Sequence, residues 1–144
     1  MPITSRMRKS PMAVLALGVL FGLGAPYARA STPSSTPKWD AISLNDQGMF
    51  FIDAHSIKDE GGKKTLWSAV DYKKPQKTAD GAAYSSIQTQ LQINCKAKMA
   101  RIMHMTYFSG PMLTGKQVGR QGMLHEWLEI DPTSAIQKIA RRVC

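Results

Sequence analysis

Little in the sequence equips it for catalysis or for residence in a membrane. Its longest apolar run, Met12–Ala25, is 14 residues, short of the roughly 20 that a spanning helix needs. It has no G-x-S-x-G, H-E-x-x-H, P-loop or C-x-x-C. The local signatures of an acyl-transfer nucleophile, a zinc hydrolase, a phosphate cradle and a dithiol centre are therefore missing. Ser, His and Asp all occur, but no spacing ties them together, so the chain reads as a non-enzyme with no cofactor. Acidic residues are scarce: 10 Asp and Glu stand against 19 Lys and Arg, a formal charge of +9. Cysteine is limited to Cys95 and Cys144. Aromatic residues make up 8% of the chain and form no base-stacking motif, which argues against nucleic acid as a partner.

The N-terminus has a different character. Arg6, Arg8 and Lys9 form a basic start, the 14-residue apolar run follows, and then come Pro26 and Ala28-Arg29-Ala30. This is the order of a secretory signal peptide, with small residues where the peptidase closes on the chain. The expectation is a leader over 1–30, cleaved after Ala30 with Ala28 at −3. No cysteine stands near that point, so the mature chain is expected to keep no stable membrane anchor. Its address is the periplasm, the cell surface or the medium. The leader holds four of the basic residues, which leaves the mature chain at +5. That balance favours acidic partners. Lys73, Lys74 and Lys77, with Arg141 and Arg142, are the candidate contact patch. An even cysteine count in an exported chain argues for a Cys95–Cys144 disulfide. Closing a loop of that length stabilises a domain by about 4 kcal/mol in the chain-entropy picture.

After the leader, residues 31–37 (STPSSTP) read as a disordered spacer, and the domain runs over 38–144. Residues 38–44 and 49–52 predict two strands joined by the turn Asn45-Asp46-Gln47-Gly48. Residues 59–62 are a second turn and 63–72 a third strand, with Leu66, Ser68, Val70 and Tyr72 on one face and Trp67 and Ala69 on the other. Residues 73–81 read as a Lys-rich loop around Pro75. The clearest alternation lies in 83–95: Ile87, Thr89, Leu91, Ile93 and Cys95 share one face, Gln88, Gln90, Gln92 and Asn94 the other, giving a core side and a wet side. Residues 96–108 form a strand of mixed parity, covered on both sides or carrying a bulge. In simple alternation it sets Met99, Met103, Met105 and Tyr107 against Ile102 and Phe108. Residues 112–123 read as loop, and 124–130 as a last short strand.

Asp131-Pro132-Thr133-Ser134 is a helix start. Ile136, Ile139, Ala140 and Val143 then make one helical stripe, with Arg141 and Arg142 in the last turn. The fold class is α+β: a mostly antiparallel sheet of about six strands, with a C-terminal helix packed on it and tied by the disulfide. An unpaired edge of such a sheet also allows two copies to pair.

Several segments together resemble the surface-adhesin protein E family of Gram-negative bacteria. They are Trp39, Phe50-Phe51-Ile52-Asp53, Ser56-Ile57 and Leu66-Trp67-Ser68-Ala69-Val70-Asp71-Tyr72-Lys73-Lys74-Pro75-Gln76. Ser85, Ser86, Ile93-Asn94-Cys95, Arg101, Tyr107-Phe108-Ser109-Gly110-Pro111-Met112, Gly115-Lys116, Trp127 and Val143-Cys144 complete them. The resemblance covers about 38–144. It implies the same sheet, helix and cysteine bridge, and an outer-surface adhesin that binds host extracellular-matrix proteins.

Three readings of function stand at this point. The first is a non-enzymatic exported binding domain whose partners are host matrix or other envelope proteins. The second is a periplasmic structural or envelope-associated protein with no host ligand. The third is a copper-binding protein using Met99, Met103 and Met105, with Met112, Met123 and His125 nearby, since thioethers suit Cu(I); three methionines on one strand face are more often core filler. Trp39, Trp67 and Trp127 are read as core residues, not as a ligand platform.

Overall fold

Alternation of apolar and polar residues builds a sheet, and the computed structural model shows where each face goes. It describes residues 36–122 and 126–144. The expected leader with Ala28 and Ala30, residues 31–35 of the expected spacer, and Met123, Leu124 and His125 lie outside the described residues.

Among the described residues eight strands form one antiparallel sheet: β1 (Trp39–Leu44), β2 (Gly48–Asp53), β3 (Lys58–Glu60), β4 (Lys63–Lys77), β5 (Ala83–Asn94), β6 (Met99–Phe108), β7 (Gln117–Gln121) and β8 (Leu128–Glu129). The order across the sheet is β1-β2-β4-β5-β6-β7. The two short strands add length, not width. β3 pairs with the start of β4 on the β2 side, and β8 pairs with the start of β6 on the β7 side. Six positions across thus hold eight strands. Asn45 closes the β1–β2 hairpin, its Oδ1 accepting from the amides of Gln47 and Gly48.

The single α-helix among the described residues, α1 (Ala135–Val143), is capped by Ser134, whose hydroxyl accepts from the Gln137 amide at 3.1 Å. Its stripe lands as the periodicity requires. Ile139 and Ala140 pack against Ile52, Leu66, Leu91, Ile93 and Ala100, with Ile136 and Val143 at the margins. Cys95 and Cys144 are joined, with 5.7 Å between their Cα atoms. A nine-residue helix is marginal alone, so apolar burial and the bridge hold it in place.

Three departures from the expected strand boundaries have local causes. β4 continues through Pro75 to Lys77 instead of stopping at Tyr72. Its register with β5 jumps from Asp71↔Ser86 to Gln76↔Tyr84, so Pro75 sits in a bulge where no ladder donor is needed. β3 and β7 occupy segments read as turn and loop; both are short and polar, and pairing rather than pattern makes them strands. In β6 the partner of Gln90 is His104 and that of Leu91 is Ile102, which leaves Met103 as the bulged residue. The bulge reverses parity midway. Ala100, Ile102, Met105 and Tyr107 face the helix side, while Met99, Arg101, His104, Thr106 and Phe108 face away. The expected stripe Met99–Met103–Met105 does not exist, and the copper reading loses its ligand set.

The face away from α1 is not simply wet. Gln92 is 7% exposed. Its amide nitrogen donates to Thr65 at 3.2 Å, and its oxygen accepts from Arg101 Nε at 2.9 Å. The Arg101 guanidinium lies 4.6 Å from the centre of the Trp127 ring, and Lys63 Nζ lies 5.6 Å from it on the same face. Trp39, Trp67 and Trp127 are half-buried on this side, not in the core as expected. Leucine and isoleucine fill the helix side, and the indoles shelter the polar ladder.

Candidate functional site

Two distant segments converge at the end of the sheet where β4 finishes and β6 turns into β7. The carboxylate of Asp71 accepts the Met112 amide at 2.9 Å. Ser86, fully buried, donates to the Gly110 carbonyl at 2.6 Å and accepts the Leu113 amide at 2.9 Å. The loop also closes on itself: the Ser109 amide donates to the Lys116 carbonyl at 2.9 Å, and the Lys116 amide to Ser109 Oγ at 2.9 Å. Met112 (φ 47°) and Leu113 (φ 61°) are left-handed, which costs a side-chain-bearing residue about 1–2 kcal/mol each. Such conformations persist where neighbouring bonds over-determine them, and Asp71 and Ser86 supply those bonds. Gly115 (φ +78°) is required here, because a Cβ on it would lie 2.4 Å from Ser109 Oγ. The result is a rigid tip on which Met112 stands 40% exposed.

Cations follow the clamped segments in the chain: Lys73, Lys74 and Lys77 come after Asp71 in β4, and Lys116 comes after Gly115. Lys73, Lys74, Lys77 and Lys116 are exposed, and none pairs with a carboxylate among the described residues, where the ion pair is Lys64–Asp59. The Lys73 amide donates to the Gln47 carbonyl at 2.9 Å, which brings the β1–β2 turn and exposed Leu44 to the same end. Of the local acids, Asp71 is engaged by the loop. Asp80 is held below its ordinary carboxyl pKa by hydrogen bonds, first from Thr78. Behind the lysines, Tyr72, Tyr84 and Tyr107 meet edge to face at 5.7 and 5.0 Å. Burial pushes the Tyr72 phenol up, and repulsion from Tyr84 and Tyr107 adds to it. The arrangement suits contact with anionic, partly apolar surface. Among the described residues no three His, Cys, Asp or Glu gather to hold a metal.

The expected patch divides in two. Arg141 and Arg142 end α1 at the opposite end of the sheet, where Arg141 and Lys98 border a cleft over the disulfide. Ser86, the partner of Asp71, precedes Cys95 by nine residues of extended chain, or about 30 Å. The lysines belong with the loop; the arginines do not. Ser86 and Asp71, which clamp the tip, carry no local signal of that task. Their partners lie 27 and 41 residues away.

The described residues thus form a disulfide-tied antiparallel sheet with a clamped loop at one end. The chain belongs to the surface-adhesin protein E family, whose model matches residues 39–144. No curated protein matches it. Among solved structures it is similar to Haemophilus influenzae protein E. One structure superposes with a TM-score of 0.54 at 16% identity, covering 76% of this chain and 90% of that one. A second crystal form gives 0.56 at 11% identity, covering 76% and 96%. At that identity the likeness concerns the fold. Trp67–Gln76 and Tyr107–Met112, two of the segments that carry the resemblance in sequence, meet at the loop.

Proposed function

We propose that the mature chain is a non-enzymatic, exported binding domain displayed at the cell envelope, which docks on acidic segments of extracellular-matrix proteins. The leader over 1–30 directs export, and cleavage after Ala30 releases a domain free of its own leader. The observation that carries the reading is the convergence of the two family segments on one clamped loop, with exposed Lys73, Lys74, Lys77 and Lys116 on those segments or next to them in the chain. A preorganised loop loses little freedom on binding, and unpaired lysines steer an acidic partner and add affinity. Each exposed lysine–carboxylate contact contributes about 0.5 kcal/mol. Three together account for roughly tenfold in affinity.

Surface-immobilised matrix proteins test this. Replacing Lys73, Lys74 and Lys77 with Gln is expected to weaken binding roughly tenfold, and raising the salt to weaken the unmodified protein in parallel. Binding that ignores both changes would refute the lysine end as the contact surface. The outer edges of β1 and β7 support pairing of two copies; a monomer in sedimentation at high concentration would contradict that.

A further inference from the structure

The disulfide is open to solvent at the end of the sheet away from the clamped loop. Cys95 directly follows β5 and is half-buried, while Cys144 directly follows α1 and is exposed. Both cysteines line a cleft of about 350 Å³, together with Asn94, Lys98, Gln137 and Arg141. That size lies within the range of roughly 300–1,000 Å³ in which small molecules bind, so a small molecule can reach the bridge.

The charge in the cleft is of one sign. Lys98 and Arg141 supply it, and neither forms an ion pair with another described residue. No acidic side chain lines the cleft. Glu129 and Asp131 flank Ile130, one of its lining residues, but neither faces the bridge. Glu129 is in register with Met99, on the face away from α1. The Asp131 carboxylate accepts from the Thr133 amide and hydroxyl, both at 2.7 Å. Lys98 is held in place by its backbone. Asn94 Oδ1 accepts the Ala97 amide at 3.0 Å, Lys98 itself is left-handed (φ 54°), and its carbonyl accepts the Ile130 amide at 3.1 Å. Sulfur is reactive in surroundings of this kind, partly open and electropositive.

We propose that the Cys95–Cys144 bridge is a thiol–disulfide exchange site for small thiols that carry carboxylates, of the glutathione class. The carboxylates rest against Lys98 and Arg141, and the thiolate attacks Cys144 Sγ, the sulfur of the more exposed residue. A new sulfur–sulfur bond forms there, the old one breaks, and its electron pair leaves on Cys95 as a thiolate. A second small thiolate then attacks the sulfur of the first. It releases the small disulfide and leaves a thiolate on Cys144, and both cysteines take protons from water. Two small thiols are oxidised and one bridge is reduced. Charge sets the direction of the first step. The carbonyl end of α1 disfavours a thiolate on Cys144, whereas Cys95 lies outside the helix, next to Lys96. Exchange frees α1 from its covalent tie and leaves it held by the packing of Ile139 and Ala140.

The test uses the mature protein with its bridge intact. It is treated with glutathione or with cysteamine, a cationic thiol, at matched thiolate concentration, and free thiols are then alkylated with iodoacetamide. Glutathione should react roughly tenfold faster than cysteamine. Peptide mass mapping should find glutathione on Cys144 and the alkyl group on Cys95. Lys98→Gln with Arg141→Gln should bring the two rates together and leave the urea midpoint unchanged. In the fully unfolded protein the preference should shrink. Absence of exchange in the folded protein overturns the site. Equal rates for the two thiols, glutathione found on Cys95, or a preference that survives unfolding overturns it as well. The lysine end is separate: Lys73→Gln, Lys74→Gln and Lys77→Gln together should leave exchange unchanged, so either proposal can fail without the other.

Discussion

Ser86 donates to the Gly110 carbonyl and accepts from the Leu113 amide while fully buried. Ser86→Ala leaves a buried donor and acceptor without their partner, a loss of about 1–3 kcal/mol. The urea midpoint should fall accordingly, and the Leu113 amide should exchange faster than its neighbours in β6. An unchanged midpoint with unchanged exchange would mean that the loop holds its left-handed residues without this clamp. Tyr72 offers a pH handle. Burial, then repulsion from Tyr84 and Tyr107, raises its pKa above the ordinary value of 10.0. The folded state therefore favours the neutral phenol. That contribution is complete below the unfolded pKa and is lost as pH rises through the folded one. Thermal stability should decline more steeply above pH 10 in the natural protein than in Tyr72→Phe; identical profiles would contradict the shift. Neither residue could be identified in sequence as part of a site. Ser86 is one polar position in an alternating strand, and its partners come from a loop that the sheet folds back on it.

At the scale of elements, legibility followed the length and regularity of pattern. β5 alternates over its whole length, and α1 repeats its apolar residues at helical spacing behind a capping serine; both stand where the sequence puts them. β6 was harder, because one bulged residue, Met103, reverses parity and breaks any simple alternation. β3 and β7 are polar strands of three and five residues, defined by their neighbours and not by their composition. The disulfide is the element that joins helix to sheet, closing a sequence separation of 49 residues. Replacing both Cys95 and Cys144 with Ala should cost about 4 kcal/mol, read as a lower denaturant midpoint with α1 amides exchanging first. Equal stability of the two proteins would leave α1 held by Ile139 and its neighbours alone.

Over the whole molecule, charge is distributed by position. Lys73, Lys74, Lys77 and Lys116 stand at the end of the sheet with the clamped loop, and Arg141 and Arg142 at the disulfide end. Composition reports only the sum of these, and a net charge cannot say that its parts lie about 30 Å apart along a strand. Strand register could say so, and register was the part of the fold least visible in the sequence. No helix among the described residues is long and apolar enough to cross a membrane. The proposed display at the envelope rests on family membership and on the leader expected from the sequence. Protease treatment of intact cells expressing the full chain tests that display directly. The account predicts that the domain is degraded while a periplasmic marker in the same cells survives. A domain that is spared until the outer membrane is opened would contradict it.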